Sequence, residues 1–156
     1  MDAPILVKNI MTKEVISIRP EMPLLDGAKL LIQHDFHGIP VVDNENKLIG
    51  LLTEYDLISK NSFIHLPTLQ IVLQKLAVNS QDRSGFEEEL KELRMLTVKD
   101  FMNTEPITLT ENDSYEDAVR IFREHHRVNP IPVMDENRRV IGVLSRFDVL
   151  RPLGLI

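Results

Sequence analysis

The feature that most constrains this chain is an internal repeat, which has to be recognised before single elements are assigned. Three blocks of the first half return in the second half in the same order and in nearly the same register. They are residues 7–11 (VKNIM) and 98–102 (VKDFM), 39–43 (IPVVD) and 131–135 (IPVMD), and 48–56 (LIGLLTEYD) and 140–148 (VIGVLSRFD). Two long copies are unlike a solenoid, which stacks many short units. The sequence therefore predicts a tandem duplication.

Both copies show the same predicted order of elements. Residues 15–18 and 107–109 are short stretches rich in β-branched side chains, which favour strands. An amphipathic helix follows in each copy, because apolar residues recur at spacings of three and four. In copy one this helix has Pro23 in its first turn, where the missing N–H is tolerated. Its apolar positions are Leu24, Leu25, Ala28, Leu31 and Ile32 in copy one, and Ala118, Val119, Ile121 and Phe122 in copy two.

The second part of each copy is predicted to be a hairpin and a helix. Strands at 40–42 and 48–52 are joined by the polar turn 43–46, and residues 135–138 form the equivalent turn of copy two. A further helix begins near Thr53 or Ser145. The fold class is thus α+β, with two β-α-β-β-α repeats. One such unit buries little surface by itself, so each copy is expected to pack on the other.

Between the copies lies a predicted helical insert. Leu66, Leu69, Val72, Leu73 and Leu76 form one helical stripe, and Phe86, Leu90 and Leu93 form a second. Ser84 and Glu87 have the spacing of a capping box at the start of the second helix. The insert is either a helical crossover packed on the copies or a dedicated surface for a partner or a dimer. The predicted domains are repeat one at 1–60, the insert at 61–96 and repeat two at 97–156.

Composition excludes several classes of protein. The formal net charge of −6 argues against nucleic-acid binding, which needs a basic surface. The absence of cysteine excludes disulfide scaffolds and thiolate metal sites. No apolar stretch is long enough to span a bilayer, and the N-terminus lacks the apolar region of a secretory signal. We therefore expect a soluble cytoplasmic protein that binds neither nucleic acid nor membrane.

The duplicated motif Gly-x-x-Thr/Ser-x-x-Asp is the sharpest chemical feature. Gly50 or Gly142 would let a ligand approach the backbone. The hydroxyl of Thr53 or Ser145 and the free N–H groups of the following helix could donate to phosphate, and Asp56 or Asp148 could accept from ribose hydroxyls. The competing interpretation is an ordinary helix N-cap, which needs the same residues and no ligand. The residues alone leave both open.

No motif in the sequence indicates catalysis or metal binding. It contains no Walker loop, no Gly-x-Ser-x-Gly and no Gly-x-Gly-x-x-Gly. His34 and His37, and the adjacent His125 and His126, lack the His-Glu-x-x-His spacing of a zinc site. We expect no enzyme activity, no metal and no required cofactor.

The ordered set of motifs resembles a tandem pair of CBS domains, also called a Bateman module, as found in stand-alone CBS domain-containing proteins. The resemblance covers about residues 5–60 and 96–151. It implies two repeats related by a pseudo-twofold axis, with clefts that take adenosine derivatives such as AMP, ADP, ATP or S-adenosylmethionine. It also implies a regulatory module, often a homodimer, that senses the ligand and acts on a partner protein, here unknown. The alternative is a structural dimerisation or scaffold module with vestigial clefts.

Site residues follow from the resemblance position by position. Asp56 and Asp148 would hold ribose, and Thr53 and Ser145 would touch ribose or phosphate. His37 and Asn129 occupy positions that often contact phosphate. Adenine would lie in one cleft against Val15, Ile16, Ile39, Pro40 and Leu51, and in the other against Ile107, Ile131, Pro132 and Val143.

The sequence departs from the family pattern where basic residues are common. Such a residue often precedes the closing Asp or stands two before the proline; here these positions hold Tyr55, Phe147, Gly38 and Pro130. Gly38 stays a candidate ligand contact. Arg146 in copy two has Glu54 as its counterpart, which predicts that the second copy's cleft is the better one for a charged nucleotide. Arg127 is a candidate for supplying charge from the opposite copy.

Overall fold

The computed structural model describes residues 3–59, 91 and 94–154. The expected helical insert lies outside the described residues except for Lys91 and residues 94–96. Among the described helices, none has the length and apolar character needed to cross a bilayer. The described elements are, in chain order, α1 (Val7–Ile10), α2 (Leu24–Gln33), β1 (Gly38–Val42), β2 (Leu48–Thr53), α3 (Glu54–Ser59), a 3₁₀ turn (Val98–Asp100), β3 (Leu109–Thr110), α4 (Tyr115–Glu124), β4 (Ile131–Met134), β5 (Val140–Leu144) and a 3₁₀ segment (Asp148–Leu153).

The two predicted hairpins are confirmed, and their turns are built alike. β1 pairs antiparallel with β2, and β4 pairs antiparallel with β5. In the first turn, Asp43 Oδ1 accepts from the backbone N–H groups of Lys47 at 2.9 Å and Glu45 at 2.8 Å. Asp135 makes the equivalent two bonds in the second turn. The N–H of Lys47 lowers the pKa of Asp43, because it stabilises the charged carboxylate.

The first strand of each copy is shorter than predicted and lies later in the chain. In copy one only Ile18 pairs, in a parallel bridge to Val41. In copy two the strand is β3, which runs parallel to β4. The prediction of short strands at 15–18 and 107–109 is therefore confirmed only at their last residues, Ile18 and Leu109. The residues before Ile18 do not follow a neighbouring strand but border a cavity, as described below.

Helix α2 buries a narrower stripe than predicted. Leu24, Gly27 and Leu31 are buried, whereas Ile32 is 79% exposed. Gly27 explains the difference, because a Cβ there would lie 3.1 Å from Leu52 and 3.2 Å from Val98. The helix packs closely on the sheet at Gly27, and in this orientation Ile32 points away from the core.

The copies end differently. Copy one closes with α3, whereas copy two closes with a 3₁₀ segment that contains Pro152. Proline lacks the N–H that an α-helix needs at that position. Gly154 then ends the segment with φ of 67°, in the left-handed region.

The hydrophobic cores are interleaved between the copies. Val7, Ile10 and Met11 precede copy one's sheet but pack among buried residues of copy two. Conversely, Val98 and Phe101 pack among buried residues of copy one. Each copy therefore completes its core with the chain that precedes the other copy.

Backbone pairing also crosses between the copies in matched pairs. Thr12 and Val143 exchange two hydrogen bonds, of 2.9 and 3.0 Å, and Leu51 and Asn103 exchange two of the same lengths. Lys47 pairs with Arg139 at the junction of the two hairpins. Reciprocal contacts of equivalent residues are what a pseudo-twofold relation between two copies produces.

Candidate functional site

The duplicated hydroxyl and carboxylate form the same hydrogen-bonded cap in both copies, on a helix in copy one and on a turn in copy two. Asp56 Oδ2 accepts from the Thr53 backbone N–H at 3.0 Å, and the Asp56 N–H donates to Thr53 Oγ1 at 3.1 Å. Ser145 and Asp148 repeat both bonds, at 2.7 and 3.3 Å. The N-cap interpretation is thus confirmed for Thr53, which directly precedes α3. In copy two the same bonds form a cap on the turn that leads into the 3₁₀ segment, which begins only at Asp148. Each cap occupies only one carboxylate oxygen, Oδ2, and leaves the role of Oδ1 open.

A cavity of about 360 Å³ lies against the second of these caps. Its wall is built from both copies. Copy one contributes the chain before and after α2, and copy two contributes the start of its hairpin and its closing motif. The lining residues are Thr12, Glu14, Val15, Ile16, His34, Asp35, Phe36, His37, Gly38 and Pro40 from copy one, and Asn129, Pro130, Val143, Ser145, Phe147 and Asp148 from copy two.

Asp148 connects the cap to this cavity. Its residue is 5% exposed, yet it borders the cavity. While Oδ2 holds the cap, Oδ1 accepts from Thr12 Oγ1 at 3.3 Å and pairs with Arg151 at 2.9 Å. Arg151 in turn donates to Thr12 Oγ1 at 3.2 Å. Thr12 and Arg151 therefore hold the carboxylate in place, as an acceptor that a hydroxyl-bearing ligand could share.

About half of the predicted site residues meet at this cavity. They come from two clefts that the sequence had assigned separately. The bordering ones are Val15, Ile16, His37, Gly38, Pro40, Asn129, Val143, Ser145 and Asp148. The adenine-facing residues of copy one thus share a wall with the ribose-facing residues of copy two, because Thr12 pairs with Val143.

Two predicted adenine contacts lie in the cores instead. Ile39 and Ile131 are both 0% exposed and pack among buried apolar residues. Successive side chains of a strand point to opposite faces, so Pro40 borders the cavity while Ile39 faces inward. Neither isoleucine lines this cavity.

The remaining predicted residues lie outside this cavity's wall. Leu51 pairs with Asn103 as Val143 pairs with Thr12, which places copy one's closing motif at the equivalent position on the other side of the pair. The predicted residues concerned are Leu51, Thr53, Asp56, Ile107 and Pro132, together with Arg146, which is treated next.

The charged residues near the two motifs differ from the expectation. Arg146 Nη2 donates to the backbone carbonyl of His126, so its guanidinium does not border the cavity. Its counterpart Glu54 pairs with His37, with Oε1 and Nδ1 2.9 Å apart. Arg127 does cross between the copies, but its guanidinium lies 4.8 Å from the centre of the Tyr55 ring. The predicted suitability of copy two for a charged nucleotide therefore loses its structural basis at Arg146.

The space beside each glycine of the motif is filled by a side chain of the protein, so it is not free for a ligand. A Cβ on Gly142 would lie 2.6 Å from Met11 Sδ, and one on Gly50 would lie 2.7 Å from Met102 Sδ. Both methionines belong to the chain that precedes the opposite copy. The proposal that these glycines allow close ligand approach is thus corrected, because methionine already occupies that space.

This correction predicts an effect without ligand. Gly142→Ala should destabilise the unliganded protein by about 1–3 kcal/mol, the usual cost of overpacking. Denaturant unfolding would measure the loss. Repeating Gly142→Ala on a Met11→Ala chain should shrink the loss, since the two residues share one space. An equal loss in both backgrounds would contradict the contact.

Sequence reasoning missed several residues of the wall. Thr12, Glu14, Asp35 and Phe36 border the cavity, and Arg151, which lies outside the wall, holds Asp148 together with Thr12. Thr12 directly follows the repeated block 7–11, and Arg151 stands one helical turn after Asp148, so both had a positional signal. The described part of the chain shows no cluster of ligating side chains suited to a metal ion.

Comparison with protein families returns two matches. The model of the CBS domain matches residues 7–62 and again residues 98–154. A CBS domain-containing protein of Dictyostelium discoideum is 30% identical over 146 residues, which cover 94% of this chain and 89% of that protein. L-aspartate semialdehyde sulfurtransferase of Methanocaldococcus jannaschii is 28% identical over 155 residues, 99% of this chain but 24% of that protein. Some relatives therefore carry the similar region within a much longer chain.

Two similar solved structures hold ligands. CBSX2, from Arabidopsis thaliana, in complex with AMP is 26% identical, with a TM-score of 0.70 and coverage of 96% of both chains. The CBS domain pair of protein MJ0100, in complex with 5′-methylthioadenosine and S-adenosyl-L-methionine, is also 26% identical. Its TM-score is 0.65, and the match covers 97% of this chain and 98% of that one.

Proposed function

Because this chain belongs to the CBS-domain family, we propose that it binds an adenosine-containing ligand in the cavity between its two copies. The observation that carries this proposal is the composite wall of the cavity. Apolar side chains of copy one, Val15, Ile16 and Pro40, stand opposite the Ser145 and Asp148 pair of copy two. Two structures of similar fold hold adenosine derivatives, which supports this choice of ligand.

The cavity wall has an apolar part that suits a purine ring and a carboxylate that suits the ribose hydroxyls. A purine ring is flat and largely apolar, so it would lie against Val15, Ile16, Pro40 and Val143. The ribose hydroxyls would donate to Asp148 Oδ1, whose position Thr12 and Arg151 maintain. Acidic side chains accept from ribose hydroxyls in the same way in dinucleotide-binding folds.

A regulatory role follows because both copies contribute residues to the cavity wall. A ligand that touches both copies has different contacts in different arrangements of the copies, and it shifts the population towards the arrangement that it binds more tightly. In this proposal a partner protein responds to the changed arrangement of the two copies, and the chain itself catalyses no reaction. The homodimer implied by the resemblance and the cytoplasmic location expected from the sequence stay predictions.

The test is a thermal and denaturant melt of the purified chain with adenosine, AMP, ATP, 5′-methylthioadenosine and S-adenosylmethionine. A ligand present at one hundred times its dissociation constant should add about 2.7 kcal/mol to the free energy of unfolding. Guanosine is the matched control, since it keeps the ribose and changes the base. A panel in which no adenosine derivative shifts the melt would contradict the proposal and favour the scaffold.

A further inference from the structure

The cavity wall is acidic. Among the described residues that line it, Glu14, Asp35 and Asp148 carry carboxylates, and none is lysine or arginine. Two histidines, His34 and His37, also line it, and His37 is paired with Glu54, whose Oε1 lies 2.9 Å from its Nδ1. Asp148 is compensated by Arg151 at 2.9 Å. Glu14 and Asp35 form no ion pair within the described part of the chain. Two negative charges in the wall thus stay uncompensated.

The arginines closest in sequence to the lining residues are held elsewhere. Arg146 stands between the lining residues Ser145 and Phe147, but its guanidinium donates to the carbonyl of His126. Arg127 lies over Tyr55. Phe147 itself, 69% exposed, provides an uncharged ring at the wall. A phosphate group in this cavity would therefore meet carboxylates, with no lysine or arginine among the lining residues and with His37 already paired with Glu54.

The size of the cavity limits the length of the 5′ substituent, independently of its charge. Ligand pockets commonly measure about 300–1,000 Å³, and this one, at about 360 Å³, stands near the lower end. A nucleoside with a short 5′ substituent suits that volume better than a nucleoside triphosphate.

We propose that this cavity selects adenosine derivatives whose 5′ substituent is neutral or positively charged over those that carry phosphate. This inference rests on the proposed function and deepens it by assigning the charge of the ligand. S-adenosylmethionine, with its sulfonium and ammonium groups, has a net positive charge, 5′-methylthioadenosine is neutral, and AMP is an anion. Charges that interact near a protein surface change an affinity by about tenfold or more, and Glu14 and Asp35 act in opposite directions on the two charged ligands.

The wild-type chain provides the first test, by calorimetric titration at low salt with these three ligands and adenosine. S-adenosylmethionine should bind about tenfold or more tightly than AMP, with the neutral ligands between them. Added salt should narrow this difference, since it screens the wall. Tight adenosine binding with AMP as the strongest ligand would overturn the charge preference and keep the adenosine site. Failure of all four ligands would overturn both.

A charge variant provides the second test. The double variant Glu14→Gln with Asp35→Asn should raise AMP affinity and lower S-adenosylmethionine affinity, each by about tenfold or more. The affinity for 5′-methylthioadenosine should stay within about twofold, which shows that the site is intact. Glu116→Gln, at an exposed position of α4 outside the wall, is the matched control and should change none of these values. An unchanged ratio of AMP to S-adenosylmethionine affinity in the double variant would overturn the proposal.

Discussion

Replacing Phe101 with alanine is expected to lower the free energy of unfolding by about 3–5 kcal/mol, the usual range for a buried phenylalanine. Phe101 stands at the start of copy two, yet it is 3% exposed and packs in the core of copy one with Leu31 and Leu52. Its removal leaves a cavity that the surrounding strands and helix cannot fill. Urea unfolding followed by circular dichroism would measure the loss.

The control for this prediction is another phenylalanine of the same copy. Phe147 is 69% exposed, so Phe147→Ala should change stability by no more than about 0.5 kcal/mol. Because the cores are interleaved, Phe101→Ala should also keep a single cooperative transition rather than unfold one copy before the other. A loss below about 1 kcal/mol, or two separate transitions, would contradict the shared core.

Asp148→Ala is expected to abolish the stabilisation that an adenosine ligand confers, a loss of about 2.7 kcal/mol at one hundred times the dissociation constant. The physical reason is that the two oxygens of Asp148 have different partners. Losing Oδ2 removes the bond to the Ser145 N–H and costs the unliganded protein about 1–2 kcal/mol. Losing Oδ1 removes the proposed acceptor for ribose, which matters only when ligand is present.

Copy one contains the matched control. Asp56→Ala removes the same cap bonds, to the N–H and hydroxyl of Thr53, and should cost the unliganded protein a similar amount. Asp56 does not border the cavity, so the ligand-induced shift of the melt should survive. A shift that persists in Asp148→Ala would refute the role of this carboxylate. A shift lost only in Asp56→Ala would place the ligand at the other motif.

Much of the fold was predictable because its signals are local. The alternation and turn chemistry of residues 38–53 specify a hairpin, and Asp43 stabilises its turn through bonds to residues two and four positions further on. The caps at Thr53 and Ser145 are equally local, so the sequence predicts them together with their duplication. Errors arose where a neighbour distant in sequence decides the outcome. Ile32 is exposed because Gly27 meets Leu52 and Val98.

The site was predictable as a set of residues but not as an arrangement. The resemblance assigned the adenine contacts of each cleft to a single copy. In the structure, Val15 borders the same cavity as Asp148, because the strand pairing of Thr12 with Val143 joins the two copies. Arg146 was expected to face a ligand, but its guanidinium meets the His126 carbonyl. Side-chain direction depends on such partners, which a motif does not specify.

The amino-acid sequence by itself determined that the protein is a duplicated α+β unit, with one hydroxyl-carboxylate cap per copy and no cysteine chemistry. Periodicity and capping depend on residues a few positions apart, and the repeat is recognised by comparing short blocks of the sequence. The tertiary structure alone decided that the cores are interleaved, that methionines occupy the space beside Gly50 and Gly142, and that the cavity wall is acidic. These properties arise from contacts between residues far apart in the chain, whose register is set by the packing of one copy on the other.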